Sequence, residues 1–476
     1  MKNRSQNMTN TKLGTLGLAA IVVSSMIGGG IFSLPQNMAQ SAAAGAVLIA
    51  WIITGIGMYF IANTFRILAA EKPNLTSGIY MYARSGFGSY MGFNIGWSYW
   101  LCQICGNVGY AVITMDALNY FFPGVFEGGN NLASVIGGSV LIWFFNFLVL
   151  RGVRQAAKIN LIATITKIVP LLIFIGILGY VFQAHQFGYN YWGQFSKIGS
   201  LPDQIKSTML VTLWAFIGIE GAVVLSARAR SQSAVGKATL LGFLGCLVIY
   251  ILLSLLPFGY MGQGKLATIA NPSTAGILQD IVGNWGAWLM NIGLIIAILA
   301  SWLSWTMIVA EMPYAMAKNG TFPKCFAKEN DKQTPYVSLW TTSFLMQLAM
   351  LLVYFAHNAW NTMLSITGVM VLPAYLTSCL YLWKLCKTGK DRKREALVTG
   401  LLGAIYALWL IYAAGLSYLL MAVILIAAGY PVYVWARKEQ GVKGPVLTKH
   451  ECYLAWTIFI VAGFALYACT HHMIAL

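Results

Sequence analysis

Charge is what this chain has least of: 9% of its 476 residues are Asp, Glu, Lys or Arg, against about 25% in soluble domains. Acids are scarcer still, 13 in all, and no polar stretch runs longer than about 25 residues. That leaves no room for a soluble catalytic or signalling domain. The five histidines fall in loops and termini, and the eight cysteines lie in or beside apolar runs rather than in the spacing of a disulfide framework. Cys102 and Cys105 have a metal-like separation but stand alone inside an apolar helix, so no metal site is expected. No phosphate-binding or catalytic motif occurs. The sequence therefore implies neither an enzyme nor a cofactor.

What is abundant is apolar: 58% of residues, with a mean hydropathy of +0.70. Runs of about 20 apolar residues, enough to cross a bilayer as helix, fall near 14–35, 43–68, 90–121, 132–150, 158–182, 205–226, 238–260, 283–317, 336–356, 361–385, 396–414, 416–436 and 453–474. The expectation is an all-α polytopic membrane protein of thirteen spans. The first run is too long, and too polar at its glycines, for a cleaved signal peptide.

The net charge of +17 could suggest nucleic acid, but its distribution reads as topology. With the N-terminus inside, 26 of the 30 Lys and Arg fall on the inner side; Lys197, Lys206 and Lys265 fall outside, and Lys167 lies within a span. This satisfies the positive-inside rule. It predicts a cytoplasmic N-terminus, an outside C-terminus and contact with anionic lipid rather than a polyanion.

Two segments break the apolar pattern. Ser25–Phe32 (SMIGGGIF) and Trp214–Gly221 (WAFIGIEG) each put glycine inside a span, at a cost of about 1 kcal/mol per residue against alanine in a helix. Unpaired backbone is tolerated in hydrocarbon only where it lines a protein cavity, and paired breaks in two halves mark a transporter's substrate site. The breaks lie about 190 residues apart, one five-span repeat. An odd number of spans per repeat inverts the second half. The expected organisation is a tail over 1–13, a core over 14–385 built from inverted repeats at 14–182 and 205–385, and additional spans over 386–476 that serve as scaffold or as the surface of a homodimer. Inner linkers at 66–89 and 318–335 are candidate gates.

At the first break, Gly28, Gly29 and Gly30 leave amides of the following half-helix free for a carboxylate, and the carbonyls of Met26 and Ile27 suit an ammonium. Close packing of small residues is the bland alternative. The second break holds Trp214 and Ile217, with an indole that can cover a cation, and Glu220, a carboxylate that costs about 2.5–3.5 kcal/mol to insert. The other ionisable groups at depth are Glu311, Lys167 and Asp116, the last near the outer interface. Three acids to one base favour a cationic substrate. Lys167 either snorkels inward or holds its ammonium beside the broken first span and the eighth, where a sodium ion would otherwise sit. Asn107, Tyr99 and Trp305 are softer candidates, for hydrogen bonding to substrate and for aromatic gating.

The stretches SSMIGGGIFSLPQNMA (24–39), YMGFNIGWSYWLCQICGNVGY (90–110), FLVLRGVRQAAKIN (147–160), MLVTLWAFIGIEGA (209–222), ATLLGFLG (238–245) and AEMPYAMAKNGTFP (310–323) resemble the amino acid–polyamine–organocation transporters. More narrowly they resemble the basic amino acid/polyamine antiporters, with bacterial arginine/ornithine exchangers foremost. The resemblance implies two inverted five-helix repeats with broken first and sixth helices, alternating access, and a bacterial inner-membrane location. It implies carboxylate binding at Gly28–Gly30, the α-amino group at the Ile27 carbonyl, stacking on Trp214, gating by Glu220, Tyr99 and Trp305, arginine recognition by Asn107, and Lys167 in place of sodium. Glu311 departs from the exchangers, which have a neutral residue there; it is carried as a substrate-binding candidate. Arginine/ornithine exchange is the leading expectation. Histidine/histamine or lysine exchange and proton-coupled uptake are the alternatives.

Overall fold

The computed structural model describes residues 12–355, 359–388, 394–441 and 445–471. Most of the expected N-terminal tail, part of the basic run 384–394 and the C-terminal residues 472–476 lie outside these. Among the described residues, eleven helices are long and apolar enough to cross a membrane, and the bent pair Thr15–Met26 and Gly29–Ala39, angled by 48°, makes a twelfth crossing. The remaining expected span, 205–226, is divided into pieces too short to span alone: Leu201–Ala215, then Gly221–Val224 and a 3-10 turn at Leu225–Arg228. The protein is a multi-pass membrane protein.

Both interruptions sit where glycine was expected to break helix. The first helix stops at Met26, Ile27 and Gly28 are non-helical, and a 3-10 turn over Gly29–Ser33 leads into Leu34–Ala39. In the sixth span, helix ends at Ala215 and resumes at Gly221, with Gly218 at φ +112° between them.

The eighth span, Asn284–Lys318, is the most enclosed of the long helices, and the last two, Ser417–Glu439 and Lys449–Thr470, are the least. The first span packs against the fifth (Val153–Val181), the seventh (Gln232–Leu255) and the eighth; the third (Ser89–Leu118) lies against the eighth and the tenth (Ala359–Thr388). The broken helices thus sit inside a ring of continuous ones, where their unpaired backbone can find protein partners. In the last helix, Tyr453, Trp456, Ile460 and Phe464 are exposed, an arrangement suited to lipid rather than water.

The linker between the second and third spans carries the helix Ile79–Phe87, and the 318–335 linker carries a 3-10 turn at Lys324–Ala327. The chain entering the first span is tied to the chain leaving the sixth: the Leu13 amide donates to the Arg228 carbonyl and the Arg230 amide to the Leu13 carbonyl, both at 2.8 Å.

Candidate functional site

The two breaks meet. The hydroxyl of Ser25, one residue before Met26 ends the first half-helix, lies 2.9 Å from the Gly218 carbonyl and shares its one hydrogen with the Ile21 and Val22 carbonyls at 2.8 and 2.9 Å. Beside this junction lies a cavity lined by Gly28, Gly29, Gly30, Ile217, Trp214 and Trp305, together with Gln103, Tyr110 and Thr367. Its volume is about 50 Å³. A β-carbon at Gly30 would fall within the Trp214 ring, and one at Gly28 would stand 2.8 Å from the Tyr110 hydroxyl. The glycines are therefore needed for close contact. The first amides of the 3-10 turn, at Gly29 and Gly30, have no acceptor within their own turn.

Lys167 closes the back of the first break. It is fully buried, and its Nζ has four acceptors within reach of its three N–H bonds, the Ile27 carbonyl at 2.6 Å, the Ser24 carbonyl at 2.9 Å, and the hydroxyls of Ser24 and Ser301 at 3.0 and 3.2 Å. Of the two sequence readings, the structure places this ammonium between the broken first span and the eighth, not at an interface. The Ser301 hydroxyl lies 2.6 Å from the Ser24 carbonyl and 2.9 Å from the Ile27 carbonyl, with one hydrogen to share between them. The Ile27 carbonyl, expected to meet a substrate α-amino group, thus already accepts from the Lys167 ammonium. Trp305 is likewise tied in place, its indole donating to the Ser25 carbonyl at 3.1 Å.

Glu220 is fully buried and has no basic partner among the described residues. Its carboxylate accepts from Tyr99 at 2.8 Å, from Tyr375 at 2.7 Å and from the Gly218 amide at 3.2 Å. Tyr99 and Glu220 thus form one unit with Tyr375, adjoining the cavity but not lining it. Tyr375 lies 155 residues from Glu220, in a run where tyrosine reads as ordinary core.

Two further candidates lie outside the cavity lining. Asn107 does not line the cavity; its amide donates to the Gln103 carbonyl one turn earlier, and Gln103 is the third-span amide in the wall. Glu311 is not in the cavity either. It is 1% exposed, and its Oε2 accepts from both Nε and Nη2 of Arg228 at 3.2 Å, while Arg228 also reaches Glu329 at 2.9 Å and the Gln333 carbonyl. Glu311 therefore joins the end of the sixth span, the eighth span and the 318–335 linker. An acid placed at depth by sequence is neutralised by an arginine that the sequence assigns to a loop.

The sequence profile of the amino acid permease family matches residues 13–469. The chain is 64% identical over 438 residues to an arginine/agmatine antiporter of Chlamydia abortus, covering 90% of each chain. It is 62% identical over 447 residues to one of Chlamydia pneumoniae, covering 92% of each. An arginine/agmatine antiporter of Chlamydia caviae is 60% identical over 477 residues, 98% of this chain and 97% of that one. With broken helices meeting at an enclosed cavity, and with this similarity along nearly its whole length, the chain belongs to the amino acid permease family.

Proposed function

We propose that this protein exchanges arginine for agmatine across a bacterial inner membrane by alternating access. The observation that carries the reading is the enclosed cavity at the meeting of two helix breaks, with free turn amides on one wall and two indoles on others. Relatives named for arginine and agmatine, at 60–64% identity and near-complete coverage, favour that pair over arginine and ornithine.

The chemistry of the pair fits the walls. Arginine brings a carboxylate, which the amides of Gly29 and Gly30 can bind at the start of their turn. Agmatine lacks that carboxylate and shares the guanidinium. A site serving both must hold the shared group well and the carboxylate weakly. Trp214 and Trp305 offer ring faces to a guanidinium, worth about 0.5–2 kcal/mol each, and Gln103 adds an amide oxygen. Lys167 supplies the fixed positive charge that holds the first break together, so no sodium ion enters the cycle.

In this proposal the core over 14–385 works as two inverted repeats, with the Ser25–Gly218 contact at their centre. The Arg228–Glu311–Glu329 cluster closes the inner side, and Tyr99, Glu220 and Tyr375 couple the sixth span to the third and tenth. The N-terminus is cytoplasmic, as the basic loops require, and a helical protein of this kind resides in the inner membrane, since outer membranes are spanned by closed barrels. Vesicles loaded with agmatine should take up labelled arginine, and empty vesicles should not.

A further inference from the structure

A second cavity lies above the first, on the side away from the basic loops. It offers about 420 Å³, more than eight times the central cavity and within the range of about 300–1,000 Å³ typical of ligand sites. Its walls come from the outer ends of the third and eighth spans, the 3-10 turn of the first span and the segment 269–279. The partition between the cavities is one side chain thick. Gly29 lines the central cavity and Ile113 the upper one, and a β-carbon at Gly29 would stand 3.1 Å from Ile113 and 2.8 Å from Ile298.

The polar groups of this vestibule suit a cation. Asp116 is the one charged residue lining it among the described residues. Lys265, a base on the neighbouring helix Gln263–Thr268, is held by Asp280 at 2.9 Å, so it does not oppose a positive ligand. Asn291 also lines the vestibule and is 1% exposed; its amide nitrogen donates to the Ala287 carbonyl, leaving Oδ1 without a partner among the described residues. A buried acceptor left unpaired costs about 1–3 kcal/mol, which a donor arriving from the vestibule would recover. The Tyr120 ring adds a face for a cation.

We propose that this vestibule is a second, outer binding site for the guanidinium-bearing substrate, with Asp116 as its counter-charge and Asn291 Oδ1 as a hydrogen-bond acceptor. It holds the incoming cation while the central cavity is closed and delivers it across the Gly29–Ile113 partition. The inference rests on the reading of the substrate as a cationic amino acid.

The test is equilibrium binding of labelled arginine to the purified full chain. Wild type should bind two per chain, one more weakly. D116N should bind one, the tighter. W214L should keep both sites with the central one weakened by about tenfold, and D116N/W214L should keep only that weakened central site. In right-side-out vesicles the outside concentration for half-maximal arginine uptake should rise by about threefold or more in D116N, return towards wild type in D116E, and leave the inside value unmoved. One arginine per wild-type chain, two per D116N chain, or an outside half-saturation that D116N does not shift would overturn the vestibule site and leave the exchanger reading standing. No binding to wild type at all would instead overturn the cationic substrate. Should W214L fail to fold, the D116N comparisons decide alone.

Discussion

Ser25 and Gly218 stand so close that a β-carbon on Gly218 would meet Ser25 Cβ at 2.7 Å, while the Ser25 hydroxyl lies 2.9 Å from the Gly218 carbonyl, one of three carbonyls within its reach. Gly218 also holds φ at +112°, where an L-residue is strained by about 1–3 kcal/mol. G218A therefore meets both a clash and a strained backbone, whereas S25A loses a hydrogen bond worth about 0.5–1.5 kcal/mol. Thermal unfolding of the purified variants should rank G218A well below S25A, and S25A slightly below wild type. Equal melting of G218A and wild type would remove the junction from the account.

Arg228 and Glu311 give a second stability prediction. Removing one partner of a buried pair costs about 3–5 kcal/mol, because the other is left charged and unpaired, while replacing both is much milder. R228A strands Glu311 at 1% exposure and should lower the melting temperature sharply. R228M/E311M should recover most of that loss. Melting of R228A like wild type would show that water already reaches Glu311.

The contact between Gly30 and Trp214 predicts a functional defect with a specific remedy. A methyl group at position 30 must displace the indole, so G30A should lower arginine affinity by about tenfold, the scale of one lost cation–π contact. In W214L the space is already open, so adding G30A to W214L should cost little more. Additive losses in the double variant would mean that the two residues act independently.

Lys167 predicts independence from sodium. K167A removes the four contacts that hold Ser24, Ile27 and Ser301, and arginine exchange should fall by about tenfold or more, the scale of one or two lost charged hydrogen bonds, with no rescue by added sodium. K167R is not a conservative repair, since a planar fork replaces a point charge. Exchange in wild type that rises with sodium would contradict the assignment.

These predictions mark where the sequence was legible. Glycine inside an apolar run has a physical cost whatever surrounds it, so the breaks at 28–30 and 218 could be located without coordinates, as could the continuous spans around them. Glu220 could be singled out for the same reason, since a carboxylate at depth is costly. Its partners could not: Tyr99 and Tyr375 lie 121 and 155 residues away, and nothing local distinguishes a tyrosine that bonds a carboxylate from one that packs. Glu311 was misplaced because the sequence counts charges by depth along each span. Arg228 lies 83 residues away and reaches up from what reads as a loop. Asn107 stands out in the sequence because it interrupts an apolar stretch beside glycine, whereas Gln103 does not. The two are one helical turn apart, and only tertiary packing decides which of them meets the cavity.

The central claim is one-for-one exchange of arginine for agmatine, and its most direct test is labelled arginine uptake into vesicles loaded with agmatine, with ornithine or with buffer alone, at a set membrane potential. Arginine carries one net positive charge at neutral pH and agmatine two, so each turnover moves one charge, worth about 2.3 kcal/mol per 100 mV. The account predicts rapid uptake against agmatine that responds to the potential, and none against buffer. Equal uptake into agmatine-loaded and empty vesicles would contradict it.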